Sequence, residues 1–242
     1  MRRRRDADCE VLEIQMNKGK DRDTVLYQVE PGSTVDVWAK EKAVNGGLKR
    51  QFGGHIVFAA DDTLYAAIQG DILKIAPNGD SVRLGANLPG ICSFALAANG
   101  DVFVADHTTN LVLKVTQDGG VSTFAGKARE LRPHNNYYKV NGIALDRQGN
   151  LYVADPNSHV LLGITPGGHV STLAGEAGVA GEVDGQGRSA RFEGPSSQIV
   201  VDSRGSVYVM DAANRLRKTS SRGRVSTIDV QPWLDQFGID RR

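Results

Sequence analysis

The chain has 242 residues, of which 40% are hydrophobic and 24% are charged, a balance that is typical of a soluble globular protein and excludes a disordered chain. Its net charge of +1 identifies no class of partner, so any argument from charge has to be local. The two cysteines, Cys9 and Cys92, are too few for a disulfide framework.

The N-terminus carries arginine at positions 2–5, but acidic and polar residues follow where a secretory signal needs an apolar stretch. No run approaches the roughly 20 apolar residues of a membrane-spanning helix. The sequence as given therefore predicts a soluble cytoplasmic protein with no membrane contact. A domain of a longer exported protein is the alternative that stays open.

The first predicted strands form a weak repeat at the N-terminus. Residues 11–14 fit the second strand of a four-stranded unit, residues 25–29 fit the third, and residues 34–39 fit the fourth after a Pro-Gly turn. This copy lacks a first strand.

Four plain copies of the repeat follow, at residues 52–85, 89–126, 140–175 and 194–228. In the copy at 140–175, short apolar runs occupy residues 143–145, 151–154, 160–164 and 170–173, with Gly, Pro, Asn or Asp between them. Runs of this length and composition predict strands. The second strands begin at Leu64, Val102, Leu151 and Val207.

One four-stranded antiparallel sheet per repeat predicts an all-β fold, a β-propeller whose blades pack against each other. We expect one domain over residues 1–242, with five blades at about 8–39 plus 236–241, 52–85, 89–126, 140–175 and 194–228. The tail at 236–241 resembles a first strand, so we expect the N- and C-terminal strands to share one blade. Six blades and a parallel β-helix are the alternatives.

The repeats resemble the NHL repeat family in four stretches: GIALD at 142–146, GNLYVAD at 149–155, VSTLAG at 170–175 and DGQGRSARF at 184–192. The resemblance is clear over residues 53–228 and weak over 10–40. It implies a propeller, often of six blades, and says little about function. It also implies two activities to weigh, because related propellers include metal-dependent lyases and lactonases, and some animal NHL proteins bind RNA.

Candidate chemical groups are few. The aspartates that end the second strands, Asp106, Asp155 and Asp211, are expected to cap turns. We predict no cofactor, and the alternative is a divalent cation in the central channel, held by His55, His107 and His159. No nucleophile motif of the GxSxG type is present, so no catalytic residue is assigned.

The loops between blades and the turns between second and third strands are expected to share one face, which is where a rigid scaffold usually binds. Residues 40–50 and 127–139 each carry a net charge of +3, whereas residues 176–193 carry −2. The binding residues that we predict on this face are Arg129, Arg132, His134, Asn135, Tyr137, Tyr138, His107, His159, Asn110 and Asn214.

Three hypotheses of function follow. The first is a non-catalytic, monomeric module that binds a protein or a small anionic ligand on this face. The second is a metal-assisted propeller lyase or lactonase. The third is a protein that binds single-stranded RNA through the basic loop at 127–139, whose aromatic and amide side chains suit unpaired bases.

Overall fold

The structure is a computed structural model that describes residues 2–6, 9–18, 21–29, 34–37, 54–68, 70–85, 87–88, 90–126, 140–212 and 215–230. The chain forms two compact units. The first comprises Met1–Pro89 and Thr116–Gly120, and the second comprises Gly90–Val115 and Val121–Arg242. No helix in the described ranges is long and apolar enough to cross a membrane.

The first unit contains two antiparallel sheets. One has three strands in chain order: β1 (Arg2–Asp6), β2 (Cys9–Lys18) and β3 (Asp21–Val29). The other has five strands, also in chain order: β4 (Thr34–Val37), β5 (Gly54–Phe58), β6 (Leu64–Ile68), β7 (Asp71–Ile75) and β8 (Ser81–Gly85). The four strands predicted within residues 52–85 are β5 to β8.

The N-terminal repeat differs from its prediction. We expected residues 34–39 to pair with residues 25–29, but β4 pairs with β5, so that Val35 lies opposite Ile56. Because β5 is the first strand of its repeat, it would otherwise leave a row of backbone N–H and C=O groups at the sheet edge, and β4 covers them. The strand β1 was not predicted and occupies the free edge of β2. The predicted closing strand at 236–241 lies outside the described residues.

The second unit contains three sheets, one for each remaining repeat. The sheet of residues 89–126 has β9 (Ile91–Leu96), β10 (Val102–Asp106), β11 (Leu111–Val115) and β12 (Val121–Ala125). The next has β13 (Gly142–Leu145), β14 (Leu151–Asp155), β15 (Val160–Ile164) and β16 (Val170–Ala174). The last has β18 (Pro195–Val201), β19 (Val207–Asp211), β20 (Arg215–Thr219) and β21 (Arg224–Ile228), with the short strand β17 (Gly185–Gln186) paired to β21.

The second strands form the centre of the core. Every residue of β10 and β14 is buried, because each of these strands lies between two others and both faces of its sheet are covered. Of the first strands, β13 lies between β9 and β18 and contacts both. The prediction of all-β, four-stranded antiparallel sheets is therefore confirmed in these three repeats.

Antiparallel pairing gives each sheet of the second unit two different ends. The turns between second and third strands lie at one end, which we call the loop-bearing face. The link at residues 176–193, which we call the strap, begins at this face, and its residues 185–187 run along β21 to the opposite end. The other turns lie at the opposite end, which we call the hairpin face.

One glycine of the hairpin face, Gly223, has φ +83°, and a Cβ atom on it would lie 2.4 Å from the carbonyl oxygen of Leu173. Only glycine fits such a turn.

Candidate binding face

The repeated aspartates stabilise the turns of the loop-bearing face. Asp106 Oδ1 accepts hydrogen bonds from the backbone amides of Thr108 at 2.8 Å and Thr109 at 3.2 Å. Asp155 makes the equivalent pair of bonds in its own turn at 3.1 and 3.0 Å. Both carboxyl groups are buried. These aspartates therefore serve their own sheets, as expected for residues that recur once per repeat.

Two of the predicted binding residues have a conformational role. Asn110 and His159 occupy the same place in successive turns and have φ angles of +56° and +60°. This left-handed region admits Asn and His more readily than most other residues. The rare backbone geometry explains why a polar residue recurs at this position, whatever else it does.

His107 and His159 hold the turns to neighbouring backbone. The Nδ1 atom of His107 lies 2.7 Å from the carbonyl oxygen of Gly90, and that of His159 lies 2.8 Å from the carbonyl oxygen of Glu193. Since a carbonyl oxygen can only accept, Nδ1 carries the hydrogen in both rings. His55 belongs to the first unit and is buried. Within the described ranges, no three His, Cys, Asp or Glu side chains converge as metal ligands would.

The most unusual side chain near this face is Arg217, which is fully buried. Its Nη1 atom donates to Asp211 Oδ2 and its Nη2 atom donates to Asp184 Oδ1, both at 3.0 Å. Asp211 ends a second strand, whereas Asp184 belongs to the strap. The guanidinium therefore joins the strap to the sheet through two charge-assisted hydrogen bonds, which are stronger than neutral ones.

Arg217 also contacts the backbone and an aromatic ring of the strap. Nη1 donates to the carbonyl oxygen of Arg191 at 3.0 Å, and Nη2 donates to that of Val183 at 3.1 Å. The guanidinium carbon lies 5.0 Å from the centre of the buried Phe192 ring, within the range of a cation–π contact. The stretch DGQGRSARF thus forms a binding site for the side chain of Arg217.

The pKa of Asp184 reflects this environment. Burial acts to raise the pKa of the carboxyl group, but hydrogen bonds from Thr227 and the charge of Arg217 together outweigh it and hold the pKa below its usual value of 3.8. The Thr227 amide and hydroxyl each donate at 2.9 Å. Asp184 is therefore ionised at neutral pH and fixed to both β20 and β21.

Further ion pairs fasten the strap at its surface. Arg191 pairs with Glu176, and Arg215 Nη2 lies 2.6 Å from Glu182 Oε2. Two apolar side chains of the strap face solvent, Val179 at 41% and Val183 at 54% exposure. The strap therefore presents an ordered surface of valines and carboxylates on the loop-bearing face.

The basic part of the predicted face lies outside the described residues. This applies to the residues of the loop at 127–139, namely Arg129, Arg132, His134, Asn135, Tyr137 and Tyr138, and to Asn214. Their assignment stays a prediction. Asn110, His107 and His159 are brought to the loop-bearing face of the second unit.

The inner strands of the second unit carry little chemistry. None of β9, β13 and β18 contains an Asp, Glu, His, Lys or Arg residue. Their one thiol, Cys92, lies 3.0 Å from the carbonyl oxygen of Val140 and 3.2 Å from that of Ala105, and its single hydrogen can be donated to either. Burial, with the nearby charge of Asp106, raises the pKa of this thiol to about 12. Cys92 therefore stays protonated and is a poor nucleophile.

Sequence reasoning missed Arg217, although the sequence contains a signal for it. The strand register places Arg217 opposite Val209, and the corresponding residues of the other plain repeats are Leu73, Leu113 and Leu162. A cation at an otherwise apolar position of a central strand indicates a buried partner of opposite charge.

No protein-family model matches the sequence, and neither does any curated protein. Solved structures do match. An auxiliary nutrient binding protein from Bacteroides ovatus is 16% identical with a TM-score of 0.56, over 71% of this chain and 46% of that one. A catalytically inactive variant of virginiamycin B lyase from Staphylococcus aureus, solved with quinupristin, is 13% identical with a TM-score of 0.57, over 94% of this chain and 68% of that one.

A structure of the nidogen–laminin complex also matches, with 18% identity and a TM-score of 0.50 over 68% of this chain and 60% of the other. These neighbours are propeller-like. At such low identity they show the fold alone, which is therefore all-β and propeller-like. The chain spans about half the length of the first structures it matches, 46% and 44%.

Proposed function

We propose that the chain is a binding module of the NHL type, which binds a protein or a small anionic ligand through its loop-bearing face. The observation that carries the proposal is the buried Arg217, which fixes the strap to the last sheet through Asp184 and Asp211. A loop that is ordered before binding loses little conformational entropy when a partner docks, so its contacts contribute more fully to affinity.

The chemistry of the described residues agrees with binding more than with catalysis. The turn aspartates and histidines hydrogen-bond to backbone groups, and the inner strands of the second unit carry no acid or base. A propeller lyase would need such groups near a substrate. The likeness to virginiamycin B lyase keeps a metal-assisted lyase as the alternative to test.

We further propose that residues 1–242 form one propeller of five sheets. The tail at 236–241 is our candidate for a closing strand. Since both edges of β2 are paired, with β1 and β3, the tail would add to an outer edge of that sheet.

Site-directed photo-crosslinking tests the binding face. A benzophenone side chain is placed at Val179 or Val183 on the strap and, as matched controls, at the exposed Val121 and Val200 towards the opposite end of the sheets. In extracts of cells that express the protein, we expect a discrete crosslinked species from the strap positions alone, and we expect Arg217→Leu to reduce it. Equal crosslinking from all four positions would contradict the proposal.

Two assays separate the alternatives. Turnover of quinupristin that needs an added divalent cation would favour the lyase. Salt-sensitive binding of single-stranded RNA that is lost on Arg129→Glu/Arg132→Glu would favour the RNA hypothesis. Binding of a protein or a small anion with neither activity supports the proposed function.

A further inference from the structure

A second candidate site lies on the hairpin face, and no strap residue lines it. A cleft of about 390 Å³ opens there between the sheet of β13 to β16 and the sheet of β18 to β21. A volume of this order is within the range of small-molecule sites, about 300–1,000 Å³. Its polar lining includes Asp146, Asn150, Tyr152, Ser171, Arg204 and Ser221.

The cleft exists because one repeat lacks a side chain that the others have. In the register of the second and third strands, an aromatic residue pairs with a lysine in three repeats: Tyr65 with Lys74, Phe103 with Lys114 and Tyr208 with Lys218. In the fourth, Tyr152 pairs with Gly163. Glycine leaves open the space that lysine would fill.

The first unit shows the filled form of this arrangement. The Lys74 ammonium lies 5.9 Å from the centre of the Tyr65 ring and donates to Gln117 Oε1 at 2.7 Å. Gln117 is the second residue of a Thr-x-x-Gly hairpin turn. The corresponding residue of the last repeat is Ser221, which lines the cleft with a short side chain.

The wall of the cleft is rigid and polar. Asp146 Oδ2 accepts hydrogen bonds from the Tyr152 hydroxyl at 3.0 Å and from Asn150 Nδ2 at 2.9 Å, while Oδ1 accepts two backbone amides. Burial, together with the hydrogen bond to Asp146, raises the pKa of Tyr152 to about 12. The network fixes the Asn150 amide, whose oxygen accepts no hydrogen bond from the described residues.

The remaining polar groups are uncommitted. The hydroxyls of Ser171 and Ser221 and the side-chain amide of Gln148 make no hydrogen bond to any residue in the described ranges. Arg204 is 82% exposed at its side chain and lies 3.9 Å from Asp202, so its guanidinium can turn towards the cleft. The lining therefore offers hydroxyl and amide groups, which both donate and accept hydrogen bonds, together with the positive charge of Arg204.

We propose that this cleft binds a small hydroxyl-rich ligand of the size of a mono- or disaccharide, with Arg204 favouring a sugar acid. Hydroxyl groups of a sugar both donate and accept, which matches Asn150, Ser171 and Ser221. None of the residues that line the cleft belongs to the strap, so the inference does not depend on the proposed function.

The test uses the intact chain, isotope-labelled for NMR, and a panel of glucose, galactose, N-acetylglucosamine, glucuronate, maltose and lactose at millimolar concentration. At least one sugar is expected to shift the amide signals of Asn150, Gly163 and Gly205, with the amides of strap residues 176–183 unmoved. Absence of any such shift across the panel would overturn the proposal.

The decisive variant is Gly163→Lys, which restores the residue of the other repeats. A Cβ atom at Gly163 has only Ser171 Oγ within 4 Å, at 4.0 Å, so the fold should accept the substitution. We expect sugar binding to weaken by more than about tenfold, since the lysine occupies the cleft. Val121→Lys adds the same charge on an exposed strand and should leave binding unchanged.

A second variant guards against a folding defect. Gly163→Lys/Ser221→Gln rebuilds the Lys74–Gln117 pair of the first unit in the second. It should keep or raise the melting temperature and still lose binding. Undiminished binding in a folded double variant would show that the sugar binds elsewhere and would overturn the proposal.

Discussion

At the scale of single residues, Arg217 decides how the loop-bearing face is built. A buried charge is tolerated only where it is paired and hydrogen-bonded. Here Asp211 and Asp184 supply the charge, and the strap supplies two carbonyl oxygens. The DGQGRSARF stretch at 184–192 therefore has a structural role, which is to bind Arg217. The sequence alone showed this stretch only as a resemblance to a family.

Arg217→Leu should lower the free energy of unfolding by about 3–5 kcal/mol, because it leaves the fully buried Asp211 carboxylate without its cation. Leucine fits this position in the other repeats, so the loss would not come from packing. Chemical denaturation measures the effect. The matched control is Arg215→Met, whose exposed ion pair with Glu182 should contribute at most about 1 kcal/mol. Equal losses in the two variants would contradict the role of Arg217.

Asp184→Asn should make the strap less sensitive to acid. The folded-state pKa of Asp184 lies below its usual value of 3.8, so this group adds stability above that pH and the contribution disappears as the pH falls below it. The variant should have a lower melting temperature than the wild type at neutral pH. Between neutral pH and about pH 3, its melting temperature should then fall less steeply than that of the wild type. Parallel curves for the two proteins would show that Asp184 is not coupled to folding.

At the scale of strands, the sequence predicted the plain repeats closely. The second strands begin at Leu64, Val102, Leu151 and Val207, as expected, because apolar alternation and flanking turn residues agree at these places. The prediction for the N-terminal repeat was wrong because its sequence pattern does not decide whether β4 pairs with β3 or with β5, and β4 pairs with β5. The cleft could not be predicted from the sequence for another reason. Gly163 indicates an open space only once the strand register shows that it lies opposite Tyr152.

The close approach of inner strands gives an element-scale prediction. A Cβ atom on Gly142 in β13 would lie 2.6 Å from the carbonyl oxygen and 2.8 Å from the Cα atom of Ser197 in β18. Gly142→Ala should therefore destabilise the protein by about 1–3 kcal/mol through forced backbone movement. Gly163→Ala is the control, because its Cβ has room, and it should be neutral or slightly stabilising. Thermal unfolding of both variants checks the difference.

At the scale of the whole molecule, the described sheets and their structural neighbours give a propeller-like fold. The number of blades and their closure depend on the tail, whose place we proposed from sequence. Removing residues 231–242 should lower the melting temperature by several degrees if the tail completes an N-terminal sheet, since an unpaired strand edge is costly to leave open. An unchanged melting temperature would refute the closing strand.

The central claim is that the strap is already ordered before any partner binds, and native-state hydrogen exchange tests it most directly. Three backbone amides of the strap donate to carbonyl oxygens within the strap, those of Gly187, Val183 and Phe192. The Gly187 amide donates to the carbonyl oxygen of Gly223 at 2.8 Å. We predict that peptides over 176–193 exchange slowly in the wild type and rapidly in Arg217→Leu, while β14 and β15 stay protected in both. Exchange of the wild-type strap at the rate of an unstructured peptide would contradict the account.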